Sequence, residues 1–495
     1  MNNLNEIDCP NEPFLCRNFV GGNWVEGNGK RLDVYSPIYG KVVGIINEST
    51  ESDVEDTVRH AQNAFKIWKD TPLKERCSIM FKFRELLLRD IDKISKIVSL
   101  ENGKTFSESK AGILKGIEVL EFAISLQNLD EGAKMEVSRG VFCEYRREPL
   151  GVVASITPFN FPAMVPMWTI PIAITLGNCY VWKPSEKTPI TSLFIANTLK
   201  EAGLPDGVLS IVQGSKTAVE SLIDHPDVKA VAFVGSSKIA NLVYERSAKN
   251  GKRALALGGA KNHIFLLPDA DPNMCGRGIS DSFTGCAGQR CMAASVLLAI
   301  GDCDQQIEKI IERAKSLELG KDMGAIITKE QVNFLNSKIE EAVSKGAKLL
   351  LDGRNVKAPE GMEQGYWLGP TILDNVSADS DAAKVELFGP VLSIVRCKNI
   401  SEAIEVENSC TYGNAASVFT SSGALSEKII QNASAGMVGV NIGVPVPREP
   451  FSFGGINVSK FGYGDITGKN SLNFWTNQKK VTVKWEMQKD HNWMS

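Results

Sequence analysis

The sequence predicts an α/β protein with two Rossmann-type domains in tandem and a small additional β unit. Three observations support this prediction: strand and helix patterns alternate after Pro149, a second alternating set follows in the C-terminal half, and two strand patterns fall outside the alternation. The chain has 495 residues, which exceeds one domain of about 150 residues and suffices for several buried cores.

The N-terminal part of the chain predicts a hairpin followed by amphipathic helices. Residues 19–27 place apolar strands around Gly-Gly, which is typical of a hairpin. Three helical patterns follow: the first has Ser52 as its expected N-cap, the second covers 80–104 and stops at Gly103, and the third covers 108–126. Because these helices are amphipathic, we expect them to pack against a sheet.

The two alternating sets imply βαβ units and parallel sheets. The first set has strand patterns at 151–158, 178–184, 208–214, 228–235 and 263–269, with helices at 190–202, at 217–223 and after Gly235. The second set has strand patterns at 295–301, 346–353, 369–376, 389–397, 415–420 and 436–443, with helices at 304–317, 329–345, 401–408 and 424–433.

Two strand patterns, 135–151 and 479–487, remain outside the alternation and are expected to pair as a third unit. An unpaired strand edge often becomes an interface, so we expect a homo-oligomer, either a dimer or a tetramer. The predicted division of the chain is an NAD-binding domain of residues 1–133 and 150–256, a catalytic domain of residues 257–450, and an oligomerisation unit of residues 134–149 and 468–495.

Composition and charge argue against several classes of protein. Lys and Arg total 55 against 58 Asp and Glu, for a net charge of −3, so no basic surface for nucleic acid is expected. The 11 cysteines form no C-x-x-C pair and the four histidines are far apart, which argues against a disulfide framework and against a metal site. A basic start followed by an apolar run is not seen at the N-terminus, so we expect a cytoplasmic protein.

The uncharged stretch from Gly151 to Trp182 is long enough to span a membrane. Four prolines interrupt it, and prolines at this density would break a spanning helix repeatedly. We therefore predict a buried strand, a loop and a core helix here, and no membrane partner.

The most informative cluster surrounds Cys291, within SFTGCAGQRCMAASV at 282–296. A cysteine flanked by small residues and next to Arg290 is a candidate nucleophile, because the thiolate attacks carbon readily. A buried structural cysteine is the alternative, and it is the default for the other ten. Further motifs stand near predicted strand ends: TPFNFP at 157–162, WKPSEKTP at 182–189, FVGSS at 233–237, GAKNH at 259–263 and VELFGPV at 385–391.

Taken together and in this order, the motifs resemble those of the aldehyde dehydrogenase family, and the resemblance covers essentially the whole chain. It implies an aldehyde dehydrogenase-like fold and NAD-dependent oxidation of an aldehyde through a cysteine thioester. Cys291 matches the catalytic thiol of the family. Asn160 matches the amide of the oxyanion hole, which works with the backbone N–H of Cys291. Such donors contribute about 3–4 kcal/mol to the transition state.

The resemblance also implies a set of NAD-binding residues. Lys183 and Glu186 match residues that hold the adenosine ribose, and a carboxylate there favours NAD over NADP because it repels a 2′-phosphate. Ser236 matches the pyrophosphate contact at a helix N-terminus. The nicotinamide ribose and ring are matched by Glu386 and Phe388. The cofactor set is completed by Phe159 and Gly235.

Several of these residues have a simpler explanation when each is taken alone. Asn160 could cap a turn, Phe388 could belong to a core, and Lys183 could be a solvated strand end. The ordered set of motifs favours the functional interpretation over these.

One departure from the family pattern concerns the release of product. Hydrolytic members carry a glutamate 34 residues before the catalytic cysteine, and Leu257 stands at that place. Leucine cannot take a proton from water, so we expect the thioester to resist hydrolysis and to pass its acyl group to coenzyme A. Two alternatives stay open: a hydrolytic dehydrogenase of another short aldehyde that activates water elsewhere, and a catalytically silent binding protein on this fold.

The motifs GAKNH, AGQRCMA, LLLDGR, YGN, VGVN and VPVP resemble the CoA-acylating methylmalonate-semialdehyde dehydrogenase branch. That branch implies methylmalonate or malonate semialdehyde as substrate and propanoyl-CoA or acetyl-CoA as product, after decarboxylation. Lys115 stands where the branch has an arginine for the substrate carboxylate, and it keeps the charge without the bidentate fork. Lys115 could equally be a solvated helix residue. Arg290 is the second candidate for a contact with the substrate.

Overall fold

The computed structural model describes Leu4 and residues 7–129 and 132–485. The helices, numbered in chain order, are α1 Glu51–Trp68, α2 Leu73–Arg89, α3 Ile91–Asn102, α4 Phe106–Leu129, α5 Met164–Thr175, α6 Ile190–Glu201, α7 Lys216–Asp224, α8 Ser237–Lys249, α9 Pro272–Thr284, α10 Asp304–Lys315, α11 Lys329–Ser344, α12 Asp381–Lys384, α13 Ile400–Asn408, α14 Gly423–Asn432 and α15 Gly468–Trp475. The strands are β1 Phe14–Cys16, β2 Asn18–Val20, β3 Asn23–Val25, β4 Arg31–Ser36, β5 Lys41–Asn47, β6 Ala133–Ser138, β7 Val141–Pro149, β8 Val152–Ile156, β9 Cys179–Lys183, β10 Leu209–Ile211, β11 Val228–Val234, β12 Arg253–Leu257, β13 Asn262–Leu266, β14 Ala294–Ile300, β15 Lys348–Leu351, β16 Thr371–Asp374, β17 Val391–Cys397, β18 Tyr412–Gly413, β19 Ala415–Phe419, β20 Met437–Val440, β21 Ile456–Asn457, β22 Lys460–Gly462 and β23 Thr476–Lys484.

An eight-stranded sheet has the order β22-β12-β11-β8-β9-β10-β2-β3. Its strands β12, β11, β8, β9 and β10 run parallel, as the alternation predicted. Strands β22, β2 and β3 extend the sheet antiparallel at its two sides, and β2 with β3 is the predicted hairpin. The chain builds from β8 to β10 on one side and then returns to the other side of β8. Ligands bind to such sheets in the crevice at the carboxyl ends of the strands, where the order reverses.

A seven-stranded sheet has the order β15-β16-β17-β14-β13-β19-β20. All of its strand pairs are parallel except the pair β15 and β16. Apolar side chains cover both of its faces, which is usual for a parallel sheet. The strand predicted at 263–269 belongs here as β13, so its grouping with the first alternating set is wrong. The pairing of β13 places it in this sheet, because β13 hydrogen-bonds to β14 and β19, which come later in the chain.

A separate antiparallel sheet joins β23, β7 and β6, in that order. Strand β23 pairs with β7 along its whole length, which confirms the predicted pairing of the tail with 135–151. Residues 486–487 of the predicted tail strand lie outside the described residues. Strand β6 forms one edge, and its side chains Met135 and Val137 are 66% and 52% exposed. The assignment of this sheet to oligomerisation and the proposed domain boundaries stay predictions.

Two helix boundaries differ from the prediction. Thr50 caps α1 instead of Ser52, because the Thr50 hydroxyl accepts the backbone N–H of Asp53 while the Asp53 carboxylate accepts the backbone N–H of Thr50. The second predicted helix is two helices, since Asp90 between them has φ −100° and ψ 9°. The predicted end at Gly103 is confirmed, and this glycine has a φ of +89°.

The uncharged stretch forms β8, α5 and β9, all of them buried, which confirms the prediction of strand, loop and core helix. Helix α5 packs closely on α4 because Gly116 lacks a side chain. A Cβ at Gly116 would lie 2.8 Å from the Cβ of Met167. Across the described part of the chain, no helix combines the length and apolarity that crossing a membrane requires.

A three-stranded sheet with the order β1-β5-β4 lies outside the sequence prediction. Its apolar side chains share a buried cluster with Leu100 at the end of α3, Ile190 at the start of α6 and Trp367 from the segment before β16. The sheet therefore shares its core with residues distant in the chain, and short, irregular strand patterns do not reveal such partners.

Candidate active site

A cavity of about 1340 Å³ lies at the carboxyl ends of β8, β9 and β11, where the strand order of the eight-stranded sheet reverses. The predicted site residues that line it are Phe159, Asn160, Lys183, Glu186, Gly235, Ser236, Cys291, Glu386 and Phe388. Among the described residues, Lys115 and Arg290 are the predicted site residues that do not line it. The cavity thus brings together residues that follow strands of the eight-stranded sheet and residues that precede β14 and β17 of the seven-stranded sheet.

The chain between α9 and Cys291 passes through a left-handed turn. Cys286, Ala287 and Gly288 have φ values of +53°, +52° and +69°. A Cβ at Gly288 would lie 2.1 Å from the carbonyl oxygen of Gly389, so this position requires glycine. Backbone strain of this kind is characteristic of functional sites. The turn brings the chain back from α9 and places Cys291 on the cavity wall.

Two asparagine side chains hold the backbone of Cys291 itself. Asn262, the first residue of β13, donates from Nδ2 to the carbonyl oxygens of Cys291 and Ala293, each at 2.9 Å. Asn414, just before β19, donates from Nδ2 to the same Cys291 carbonyl at 2.7 Å. Asn262 also accepts the N–H of Ala415 at 3.1 Å. These bonds tie the cysteine segment to two neighbouring strands of the seven-stranded sheet.

A third carboxamide, Asn160, reaches the same segment from the opposite side of the cavity. Its Nδ2 donates to the carbonyl of Gln289 at 3.0 Å, and Asn160 is 6% exposed. An amide NH₂ has two donors, so this bond orients the group and leaves the second N–H for a ligand. Gln289 is held in turn, since its side chain donates to the carbonyl of Ala325 and accepts the N–H of Ile327.

The thiol of Cys291 is protonated at neutral pH in this state. Burial raises its pKa to about 12, and the negative charge of Glu386 acts in the same direction. The backbone N–H of Cys291 and the positive charges of Arg290 and Lys104 oppose the rise. A substrate or a change at these charges must therefore help the thiol to ionise before it can attack carbon.

An ion pair lies just past the end of β9. The Lys183 Nζ donates to Glu186 Oε2 at 3.2 Å, and the two side chains are 4% and 35% exposed. Burial favours the neutral carboxyl, but the Lys183 charge holds the pKa of Glu186 below its ordinary value. Glu186 is therefore a carboxylate facing the cavity, and it could accept hydrogen bonds from a pair of hydroxyls.

Helix α8 begins at the cavity with Ser236 in the N-cap position. The Ser236 side chain makes no capping hydrogen bond to the first turn of α8. The N-terminal N–H groups of a helix favour anions, so this end suits a phosphate. The next residue, Ser237, accepts the N–H of Gly259 at 2.9 Å and donates to the carbonyl of Val458 at 2.6 Å. These bonds fix the start of α8 to the loop after β12.

Glu386 and Phe388 stand where the segment before β17 meets the cavity. Glu386 Oε1 accepts the N–H of Ala260 at 2.8 Å, and a Cβ at Gly259 would lie 2.3 Å from Glu386 Oε2. Burial raises the pKa of Glu386 to about 7. Phe388 has a φ of +54° and packs edge-to-face on Phe159, with ring centroids 5.9 Å apart. The two rings form an apolar wall that could accommodate a flat ring.

The sequence model of the aldehyde dehydrogenase family matches residues 24–481. The chain belongs to the aldehyde dehydrogenase family. It is 41% identical over 478 residues to malonate-semialdehyde dehydrogenase 2 of Geobacillus kaustophilus (strain HTA426), a match that covers 95% of this chain and 98% of that protein. It is 40% identical over 482 residues to a malonate-semialdehyde dehydrogenase of Lacticaseibacillus casei, covering 96% and 97%.

Solved structures of aldehyde dehydrogenases share this fold. A methylmalonate-semialdehyde dehydrogenase of Oceanimonas doudoroffii superposes with a TM-score of 0.94 at 38% identity, covering 96% of this chain and 99% of that one. A candidate methylmalonate-semialdehyde dehydrogenase of Sinorhizobium meliloti 1021, solved in complex with NAD, gives a TM-score of 0.95 at 37% identity, covering 97% and 100%. The aldehyde dehydrogenase-like α/β fold predicted from the sequence is confirmed.

Leu257, which stands where hydrolytic aldehyde dehydrogenases carry a glutamate, belongs to the core. It is 4% exposed and pairs with Lys460 in β22, and its carbonyl accepts the N–H of Gly235 at 3.0 Å. Of the described residues, Gly258 and Gly259 line the cavity but Leu257 does not. In this aldehyde dehydrogenase, position 257 therefore contributes no carboxylate to the cavity, and its leucine side chain does not reach the cavity wall.

The two cations predicted to contact the substrate already have partners. Lys115 Nζ lies 2.7 Å from Glu118 Oε2 and 3.7 Å from Glu449 Oε2. The guanidinium of Arg290 donates to two backbone carbonyls near the end of α9, at 3.0 and 2.8 Å. Their predicted contacts with substrate stay predictions, since each cation would first have to exchange its present partners.

Sequence reasoning did not assign a role to Asn262, Asn414 or Gln289. The first two lie in the GAKNH and YGN motifs, which indicated the family but no role for either asparagine. The sequence carries no local signal for this role, because the bonds join Cys291 to residues 29 and 123 positions away. Their shared target, the carbonyl of Cys291, is visible only when strands distant in the chain are paired.

We predict that Asn262→Ala lowers dehydrogenase turnover about 10²-fold, because it removes the bonds that hold the carbonyls of Cys291 and Ala293 and loosens the reacting group. A steady-state assay with a short aldehyde, NAD and coenzyme A measures this. The matched control is Asn432→Ala, an exposed asparagine on α14 that donates to the carbonyl of Lys428. Equal turnover in the two variants would contradict the assignment.

Proposed function

We propose that the protein oxidises malonate or methylmalonate semialdehyde with NAD and passes the acyl group to coenzyme A, giving acetyl-CoA or propanoyl-CoA after loss of CO₂. One observation carries the proposal: Cys291 lies on the wall of a large cavity with Asn160, while leucine occupies the position of the water-activating glutamate. The substrate class is supported by relatives of that name at 40% and 41% identity over nearly the whole chain.

The cavity residues suit NAD. Glu186 could bind the two hydroxyls of the adenosine ribose, and its charge disfavours the extra phosphate of NADP. The uncapped start of α8 at Ser236 suits a pyrophosphate. Glu386 and Phe388 could hold the nicotinamide ribose and ring. When bound, NAD supplies the two-electron acceptor for the hydrogen on the aldehyde carbon.

In the first half of the proposed reaction, the sulfur of Cys291 bonds to the aldehyde carbon after the thiol loses its proton. The carbonyl oxygen becomes an oxyanion, which the side-chain N–H of Asn160 and the backbone N–H of Cys291 stabilise. Loss of the carbon-bound hydrogen as hydride, which bound NAD would accept, restores the carbonyl group and leaves a thioester on Cys291. Cleavage of the bond between the α-carbon and the substrate carboxylate then releases CO₂, and a proton takes its place on the α-carbon. The Asn160–Gln289 hydrogen bond keeps the donor aimed while the charge develops.

In the second half, the thiol of coenzyme A attacks the thioester carbon and the bond to Cys291 sulfur breaks. This exchange returns Cys291 to a thiol and needs no activated water. The buried, apolar Leu257 fits such a reaction, because it gives water no proton acceptor. Lys115 is our candidate for the substrate carboxylate, which would have to compete with Glu118 and Glu449.

Hydrolysis to a free acid is the second candidate function, and one observation favours it. Glu386 lines the cavity with Cys291 and has a pKa of about 7, raised by burial. A general base works best when its pKa lies near the working pH. Glu386 could therefore activate water if the cofactor left it free.

We predict that Cys291→Ala abolishes dehydrogenase activity and leaves NAD affinity nearly intact, because the thiol forms the covalent bond but does not hold the cofactor. NADH formation and a fluorescence titration with NAD measure the two effects. The control is Cys143→Ala, a half-buried cysteine on β7. Retention of more than a few per cent of wild-type activity by Cys291→Ala, or an acyl label on another cysteine, would exclude Cys291 as the nucleophile.

We predict that coenzyme A raises steady-state turnover and shifts the product from free acid to acyl-CoA. The assay combines methylmalonate semialdehyde, NAD and coenzyme A and identifies the product by mass. Leu257→Glu should speed hydrolysis if the new carboxylate reaches the thioester, and Leu257→Gln is its uncharged match. Rapid release of free acid by the wild-type protein, indifferent to coenzyme A, would leave the hydrolytic function standing.

We also propose that the sheet of β6, β7 and β23 mediates a homo-oligomer, a dimer or a tetramer. Its edge strand β6 exposes Met135 and Val137, and Trp485 after β23 is 80% exposed. Exposed apolar side chains next to an unpaired strand edge are typical of an interface. We further place the protein in the cytoplasm, because its cysteines are free thiols, as a reducing compartment favours.

We predict that the double variant Met135→Glu, Val137→Lys reduces the oligomeric state, because it puts charges on the exposed face of β6 without touching the β7–β23 ladder. Light scattering coupled to size exclusion measures the mass. The control pair is Leu88→Glu, Ile67→Lys, which charges two exposed apolar side chains on α2 and α1. An unchanged mass for the β6 variant would refute this interface.

A further inference from the structure

The turn after α3 holds two successive carbonyls of the segment that carries Asn160. Asn102, the last residue of α3, donates from Nδ2 to the carbonyl of Phe159 at 2.8 Å. Lys104, two residues later, donates from Nζ to the carbonyl of Asn160. Both donors are buried, at 1% and 3% exposure. One short turn therefore fixes the backbone on each side of the Asn160 N–H and Cα.

These two bonds are part of a ring of hydrogen bonds that also includes the Asn160 side chain. Asn160 donates to the carbonyl of Gln289 at 3.0 Å, and Gln289 donates to the carbonyl of Ala325 at 3.2 Å. The N–H of Ala325 donates to the carbonyl of Gly103 at 2.9 Å, between Asn102 and Lys104. The oxyanion donor is thus held at both its backbone and its amide by one network.

The Lys104 amino group is also buried beside an aromatic ring of the segment that carries Asn160. Its Nζ lies 3.5 Å from the centroid of the Phe161 ring. Burial lowers the pKa of Lys104, while Cys286, Glu108 and Cys291 favour its charged form and Arg290 opposes it. A buried ammonium is costly, so its presence next to a catalytic segment is informative.

We propose that Lys104, together with Asn102, is a positioning residue that aims Asn160 at the reacting oxygen. The inference rests on the proposed roles of Asn160 and Cys291. Lys104 acts through the Asn160 carbonyl rather than by touching substrate. Its charge has a second effect, because it favours the Cys291 thiolate against the burial and the Glu386 charge that disfavour it. Arg290 is the other cation that acts on this thiol.

Lys104→Met tests both effects, since it keeps the length of the side chain and removes the donor and the charge. We expect turnover of propanal with NAD and coenzyme A to fall about 10²-fold, with NAD affinity and the thermal unfolding midpoint near wild type. The pH profile of Cys291 alkylation by iodoacetamide, followed by peptide mass, should move to higher pH. Alkylation needs neither aldehyde nor coenzyme A, so it reports on Lys104 even if the proposed substrate or acyl acceptor is wrong.

Asn102→Ala separates positioning from charge, because it removes a neutral donor to the same segment. We expect lower turnover with an unshifted alkylation profile. Lys93→Met is the matched control, an exposed lysine of α3 whose Nζ lies 5.2 Å from the Phe194 ring, away from the site. It should match wild type in both measurements.

Wild-type turnover in Lys104→Met or in Asn102→Ala would overturn the proposal. So would a Lys104→Met variant that loses NAD affinity and activity together while its alkylation profile stays unshifted, since that result indicates a merely structural lysine. If Lys104→Met fails to fold, turnover of Asn102→Ala decides alone.

Discussion

The site depends on carboxamide side chains that hold the backbone around Cys291 from both large sheets. Asn262 and Asn414 bind the Cys291 carbonyl from the seven-stranded sheet, and Asn160 binds the Gln289 carbonyl from the eight-stranded one. A buried carbonyl without a donor costs about 1–3 kcal/mol, so each amide both satisfies the backbone and fixes its position. The left-handed turn before Cys291 is held at its start by Glu108, whose Oε1 accepts the N–H of Cys286 at 2.5 Å, and at its end by the Asn160–Gln289 bond.

Burial has opposite consequences for the two halves of the proposed reaction. An apolar setting protects a thioester from water, but it also raises the pKa of Cys291 to about 12 and of Glu386 to about 7. The backbone N–H of Cys291 and the positive charges of Arg290 and Lys104 oppose the rise of the Cys291 pKa without cancelling it. Removal of one of these charges is therefore expected to shift the pKa values of the remaining ionisable groups in the site.

Sequence and structure agree best where the signal is local. Alternating strands and helices after Pro149 predicted two parallel sheets, and the paired strands β7 and β23 were anticipated from their failure to fit that alternation. Sequence and structure disagree where residues distant in the chain determine which sheet a strand joins. Strand β13 belongs to the seven-stranded sheet because β14 and β19 pair with it. The sheet of β1, β4 and β5 was missed, and part of its core comes from remote residues such as Trp367.

For the site, the sequence by itself determined which residue types stand at strand ends: a thiol at Cys291, an amide at Asn160, a carboxylate at Glu386, and leucine at 257. These follow from motifs a few residues long. Only the tertiary structure decided that Asn102, Lys104 and Gln289 serve Asn160, and that Glu449 lies close to Lys115. The reason is physical, because a hydrogen bond or ion pair depends on a few ångströms of separation, which chain neighbours share and distant residues acquire only when the sheets and helices have packed.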